Sequence, residues 1–229
     1  VNTLEDVLKK ENPTHIGVAF DPPGPTFRHE AYEQYKAQRE ETPEAIRLSV
    51  PIIKDIIRAY RIPILEIAGY EADDVIGTLA TKAGQQGITT YMMTPDKDYG
   101  QLVTDHVFMY RPKYGDKEFE VMGVEQVKAK FDIQSPVQVI DMLGLMGDAS
   151  DNIPGCPGVG EKTAQKLIAE FGSIENLLEH TDQLKGALKI KVETNREMIT
   201  FSKFLATIKT DVPIKLDMDT LVREQADEE

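Results

Sequence analysis

Residues 62–98 read IPILEIAGYEADDVIGTLATKAGQQGITTYMMTPDKD, and this stretch decides the fold. Ile62 to Ile67 is a short apolar run that reads as a strand. Tyr70 to Ala83 reads as a helix opening on the acidic quartet Glu71-Ala72-Asp73-Asp74, and Thr89 to Thr94 is a second strand ended by Pro95-Asp96. Strands alternating with helices in this way predict a parallel sheet with helices on both faces.

Working outward, the same alternation continues. Leu4 to Lys10 has helical spacing, and His15 to Phe20 reads as a buried strand ending at Asp21, followed by the loop Asp21-Pro22-Pro23-Gly24-Pro25. Thr42-Pro43-Glu44 is a helix start, and the helix it opens carries Ile46, Val50, Ile53, Ile57 and Tyr60 on its inner face. Val107 to Tyr110 is a further strand. The expected fold class is therefore α/β, a parallel sheet flanked by helices. From about Val124 the strand signal fades, and Val137 to Met146, Lys162 to Phe171, Ile174 to Glu179 and Lys189 to Leu205 read as helices interrupted by Gly-rich turns. A boundary near residue 135 divides an α/β unit, 1–135, from a helical unit, 136–229; the tail Arg223 to Glu229 reads as disordered.

At 229 residues the chain can bury a sizeable core, and 41% hydrophobic with 28% charged residues is ordinary for a globular protein in water. No apolar stretch approaches the ~18 residues of a membrane span, so no membrane partner is expected. Val1 to Glu5 lacks the pattern of a signal peptide. The single cysteine, Cys156, rules out an internal disulfide, fits a reducing cytoplasm and reads as a small turn residue rather than a zinc ligand. A net charge of -13 argues against nucleic acid until the placement of the acids is considered.

Eight of those acids fall in four clusters: Asp21; Glu71, Asp73 and Asp74; Asp96 and Asp98; Asp148 and Asp151. In parallel sheets the ligand crevice lies beyond the carboxyl ends of the strands. Asp21 and Asp96 fall at such ends, and the Glu71 cluster starts the helix after one, so these three clusters should converge. So many carboxylates share one pocket only if hard cations neutralise them, since neighbouring like charges otherwise raise their pKa values. Oxygen-only ligands point to Mg2+ or Mn2+, and two such ions most often serve phosphoryl transfer. Singly, each cluster has a plainer reading as helix-dipole acids, a turn or a cap. Asp74 is the least secure ligand, because Glu71, Asp73 and Asp74 cannot all face one ion from a helix.

Two further motifs bear on phosphate. In Ile153 to Leu167, Gly158 and Gly160 permit a tight hairpin between helices and leave backbone N–H groups uncovered at the start of the next helix. Lys162 and Lys166 lie one turn apart there and can reach neighbouring phosphates; the alternative is a plain packing corner. Arg28, Tyr32, Tyr35, Lys36 and Arg39 recur at spacings of three and four, which on a helix makes an aromatic–basic stripe suited to single-stranded nucleic acid, although Glu30 and Glu33 interrupt it. His15, His29, His106 and His180 show no metal-ligand spacing.

Together, Phe20-Asp21, Phe27-Arg28-His29-Glu30 with Tyr35-Lys36-Ala37-Gln38-Arg39, Gly69 to Asp74, Thr94 to Asp98, Gly147 to Gly155 and Gly158 to Ala164 resemble, in order, the 5′-nuclease domains of bacterial DNA polymerases I, in the flap endonuclease family. The resemblance implies a PIN-like 5′-nuclease core followed by a helical subdomain with a helix–hairpin–helix element. It implies a metal-dependent 5′→3′ exonuclease and flap endonuclease acting on DNA with a 5′ flap or nick and on RNA primers, within a chain carrying polymerase domains. Asp21, Glu71 and Asp73 would then favour one ion, and Asp96, Asp98, Asp148 and Asp151 the other. Lys36 and Arg39 would be catalytic residues of an arch over the site, with Tyr35 stacking on the threaded strand. Gly158, Gly160, Lys162 and Lys166 would grip duplex DNA, with K+ held by the hairpin carbonyls.

Members of that family begin with a strand ending in Asp-Gly that is not found ahead of Val1 here. The expectation is therefore weak or absent cleavage by these residues alone, and a sheet edge open to dimerisation. Two other readings compete: a non-catalytic, structure-specific DNA-binding module, and a metal-binding phosphatase of another α/β fold.

Overall fold

The computed structural model describes residues 2–113 and 118–225. The first half of the chain alternates helices with short strands: α1 (Asn2–Glu11), β1 (Val18–Ala19), α2 (Phe27–Ala31), α3 (Glu44–Ala59), β2 (Ile64–Leu65), α4 (Ala72–Gln85), β3 (Thr90–Met93), β4 (Val107–Pro112) and β5 (Phe119–Met122). β1 pairs parallel with β2, Val18 opposite Ile64, and β3 pairs parallel with β4, Thr90 opposite Val107. β5 adds an antiparallel edge to β4 that the sequence reading does not include. Among the described residues the sheet lies in two pieces, β1–β2 and β3–β4–β5.

The second half is helical: α5 (Val124–Phe131), α6 (Val139–Met146), α7 (Glu161–Phe171), α8 (Ile174–Glu179), α9 (Gly186–Thr194), α10 (Arg196–Ala206) and α11 (Met218–Leu221). The single helix expected over Lys189 to Leu205 is two helices. Asn195 leaves helical geometry between them (φ -108, ψ 22), and its side chain caps back onto the Lys191 carbonyl. On α3, Ile57 is buried as expected, but Ile46 is 54% exposed, because the first turns of that helix extend past the core. The tail departs from the expected disorder at its start: Arg223 N–H donates to the Thr14 carbonyl and its guanidinium to Leu8 O and Asn12. Residues 226–229 of that tail lie outside the described residues.

One core joins the two halves. Met92 and Met109 of the sheet pack in the same cluster as Met142, Leu143 and Leu145 of α6 and Ile199 and Leu205 of α10. The segment after α10 is laid along α4. Gln101 brackets it by donating to Ala206 O and accepting from Ile208 N–H, and Thr78 Oγ1 accepts from Val212 N–H. The approach is close enough that a Cβ on Gly77 would meet Ile208 Cγ2 at 2.6 Å. This clamp fixes the N-terminal end of α4, where the acidic quartet lies.

Candidate active site

The four acidic clusters meet where the strands end. Asp21, just after β1, accepts the Ala72 N–H at 2.8 Å at the start of α4. One residue on, Asp73 accepts from the Tyr99 hydroxyl at 2.7 Å, which ties α4 to the 3-10 turn Lys97–Leu102 that follows β3. Asp96 caps that turn by accepting Asp98 N–H at 3.0 Å, and Lys97 reaches Asp148 at 3.0 Å. Asp148 is fixed in turn by a two-way backbone bridge to Ile153 and by Ser150, whose N–H and hydroxyl both donate to its Oδ1. Lys36 closes the ring, at 2.6 Å from Glu71 and 3.8 Å from Asp151.

The charges are unevenly compensated. Burial, with Asp96 and Asp148 close by, pushes the Asp98 carboxyl up to about 8, and its Oδ1 is buried without a hydrogen-bond partner. Burial also raises Asp73 to about 6, against the pull of Tyr99. Burial would raise Glu71 as well, but Lys36 and Arg28 more than offset it and hold the group below its ordinary value. For Asp148, likewise, the Ser150 and Lys97 hydrogen bonds overcome burial. An orphaned buried carboxylate oxygen among further acids is the donor chemistry of a hard divalent cation. Among the described residues, however, no three acids already close around one point. Lys36, Arg39 and Lys97 stand between them.

Two residues placed here by sequence have another use. Asp74 is fully buried; its Oδ1 accepts from Arg28 Nη2 and Lys209 N–H, and its Oδ2 from Arg28 Nη1 and Glu71 N–H. No lone pair is left for a metal ion, so Asp74 is not placed as a ligand. Arg28 is 2% exposed and spends all five N–H donors on Glu71, Asp74, Leu205 O and Thr207 O. It bolts α4 to the end of α10 and cannot reach DNA.

The aromatic–basic stripe also comes apart. α2 ends at Ala31 because Tyr32 turns extended (φ -146, ψ 101), and residues 32–39 form successive turns with Lys36 in the left-handed region (φ 54). Tyr35 is 3% exposed and donates its hydroxyl to Glu71 at 3.1 Å, so it offers no stacking face. Tyr32 is half-buried, edge-on to Phe201. His29 is structural, accepting the Thr26 N–H at the start of α2. Lys36 and Arg39 are brought to the acids; Arg28, Tyr32 and Tyr35 are not brought to the surface.

At the glycine hairpin, Gly158 adopts φ 77, a conformation that favours glycine, while Gly160 opens α7 with nothing within 4 Å of where a Cβ would stand. Lys162 and Lys166 project exposed from α7. Sequence reasoning missed Tyr99, which carries no motif, and Lys97, whose position inside Asp96-Lys97-Asp98 was the available signal.

Residues 1–132 match the family described as 5′-3′ exonuclease, N-terminal resolvase-like domain, and residues 134–229 match 5′-3′ exonuclease, C-terminal SAM fold. DNA polymerase I of Bacillus caldotenax is 44% identical over 227 residues, which are 99% of this chain and 26% of that protein. The chain spans about a quarter of the length of the curated relatives it matches. Among solved structures, T5 5′-exonuclease with bound zinc superposes with a TM-score of 0.75 at 22% identity, over 91% of this chain and 80% of that one. A T5 flap endonuclease in a complex with DNA and metal ions gives 0.75 at 23% identity, over 91% and 79%. These likenesses bear on the fold, and the expected α/β core with a following helical unit agrees with them. With both of its halves matched, the chain belongs to the 5′-3′ exonuclease family.

Proposed function

We propose that the chain is the nuclease unit of a DNA polymerase I, hydrolysing phosphodiester bonds from the 5′ side of flapped or nicked DNA and of RNA primers. The observation that carries this reading is the convergence of Asp21, Glu71, Asp73, Asp96, Asp98, Asp148 and Asp151, with the orphaned Asp98 oxygen among them. Asp21, Glu71 and Asp73 would hold one divalent ion, and Asp96, Asp98, Asp148 and Asp151 a second, Mg2+ or Mn2+. Bound ions of this kind supply charge neutralisation at the phosphate and a water of lowered pKa. Against burial, Lys36 and Arg28 hold the Glu71 carboxyl below its ordinary value, and Ser150 and Lys97 do the same for Asp148, which favours the charged form a metal ion needs. Lys36 and Arg39, already at the acids, would act on the scissile phosphate. Gly158, Gly160, Lys162 and Lys166 would hold backbone phosphates without reading sequence, with K+ at the hairpin. We place the division of labour near residue 135, catalysis before it and duplex grip after it.

The test is an Mg2+ or Mn2+ titration against a 5′-labelled flap substrate, with these 229 residues and with a longer chain including them. Metal-dependent release of the flap is expected of the longer chain. DNA binding without cleavage in either form would return the reading to a non-catalytic module, which the family membership does not favour. A cytoplasmic setting suits such a function, and no described helix is long and apolar enough to cross a membrane. Pairing of two copies is a finer part of the same proposal. Tyr91, Met93 and Val121, 55%, 44% and 45% exposed, form an open apolar face on β3 and β5. A monomeric profile on size exclusion would remove it.

A further inference from the structure

The turns at residues 32–39 lie as a strap across the loop that carries Asp148 and Asp151. Lys36 N–H donates to Asp151 O at 3.0 Å, Gln38 Nε2 to Ala149 O at 2.7 Å, Arg39 Nε to Ser150 O at 3.1 Å, and Asn152 Nδ2 returns a bond to Gln34 O at 2.7 Å. Three side chains of the strap reach farther, into the acids themselves. Lys36 Nζ is 2.6 Å from Glu71, Arg39 Nη2 pairs with Asp151, and the Tyr35 hydroxyl donates to Glu71. The Glu71 and Lys36 side chains are 9% and 17% exposed, so theirs is not a loose surface pair, whereas Arg39, 53% exposed, meets Asp151 from the solvent side.

A cation that takes Glu71 Oε1 and Asp151 must first remove Lys36 and Arg39, while Arg28 stays on Glu71 Oε2. The carboxylate oxygens cannot serve an ammonium or guanidinium and a divalent ion at full strength together, because like charges a few ångströms apart repel strongly in a partly desolvated site. We propose that Lys36 and Arg39 are internal counter-ions that hold the strap closed over the metal-free site, and that divalent metal binding expels them and releases residues 33–39 toward the substrate. With Glu71 and Asp151 taken, Tyr35, Lys36 and Arg39 lose their carboxylate acceptors at once, and the strap, held then only by its bonds to the 149–152 loop, opens more readily. The same two basic groups that would meet the scissile phosphate are thereby withheld until the ions are in place. The inference rests on the metal reading above and adds to it a coupling between metal and strap.

Coupling is reciprocal, so removing the internal cations must tighten metal binding in the absence of DNA. Mn2+ alone is titrated by calorimetry into the full chain and into the Lys36→Met and Arg39→Met variants. Each variant is expected to bind at least about fivefold more tightly, the lower end of ordinary coupling strengths. A second measurement uses the unaltered chain: hydrogen exchange of the Lys36, Ala37 and Arg39 amides should accelerate on adding Mn2+, against the general slowing that a bound ligand brings elsewhere. Unchanged or weaker Mn2+ affinity in both variants, or a strap equally protected with Mn2+ bound, would overturn the inference and leave the metal reading standing. Absence of Mn2+ binding by all three chains would overturn both.

Discussion

Asp98 is the residue on which the electrostatics of the site can be checked without any substrate. Burial with Asp96 and Asp148 near raises its carboxyl from 3.8 to about 8 in the folded chain. Between those values the folded state keeps a proton that the unfolded state has released. Stability from this group is therefore greatest below pH ~4 and is lost as pH rises toward 8. Asp73 works in the same direction, while the depressed Glu71 and Asp148 carboxyls work in the opposite one. Comparison with Asp98→Asn isolates the term: in metal-free buffer, the midpoint of thermal unfolding of the parent chain should fall between pH 5 and 8 relative to the variant. Parallel curves would show that Asp98 is not buried among its neighbours as described. The residue types at the site were legible in the sequence, because carboxylates at strand ends have few other reasons to cluster. Which of two adjacent acids faces the crevice was not, because Asp73 and Asp74 differ only by a rotation about α4. The partner that decides it, Arg28, lies 46 positions upstream of Asp74.

At the scale of elements, the loop from α6 to α7 separates glycines that the fold needs from one that it does not. Gly147 and Gly155 have φ of 73 and 63 and stack backbone on backbone; a Cβ on Gly155 would run into Gly147 N and the Met146 carbonyl carbon. Gly160 has φ -96 and open space where a side chain would stand. Gly155→Ala should cost more than about 1 kcal/mol in urea unfolding, since both strain and collision act there. Gly160→Ala should leave the unfolding midpoint unchanged and weaken binding to duplex DNA, because it fills space at the helix start that a phosphate would occupy. If Gly160→Ala binds duplex DNA as well as the parent chain does, the hairpin is a packing corner and no more. Helices such as α7 and α8 were legible because periodicity and glycine punctuation agree there. The stripe from Arg28 to Arg39 was misread because spacing of three and four carries no information on where a helix stops. Past the stop at Tyr32 the chain is held by bonds distant in sequence, among them Tyr35 to Glu71 and Lys36 N–H to Asp151 O.

Over the whole molecule, the burial is unequal. The main cluster runs from Met92 and Met109 through α6 to α10, whereas among the described residues α1, α3, β1 and β2 close around Leu8, Ile57 and Ile62 as their buried apolar cluster. That smaller body is tied to the rest by bonds that include Ile16 N–H to Leu221 O, Arg223 N–H to Thr14 O, Tyr110 hydroxyl to Glu11 and Ala72 N–H to Asp21, and by Leu65 packed against Val75 and Leu79, while α3 leaves Leu48 and Ile52 63% and 62% exposed. Opening free energy follows buried apolar contact, so this part should unfold ahead of the global transition. In native-state hydrogen exchange, the Val18 and Phe20 amides, bonded to Pro63 O and Leu65 O, should exchange well before the Thr94 amide, bonded to Tyr110 O, and the amides of α6. The difference matters for the site, because Asp21 rides on the weaker body while Glu71, Asp73, Asp96, Asp98 and Asp148 belong to the stronger one. A ligand held by both bodies stabilises the weaker one most, so Mn2+ should slow Val18 and Phe20 more than the α6 amides. Uniform protection across both bodies before metal is added would instead mean that the chain opens as one unit, and that Asp21 is placed as firmly as the other acids.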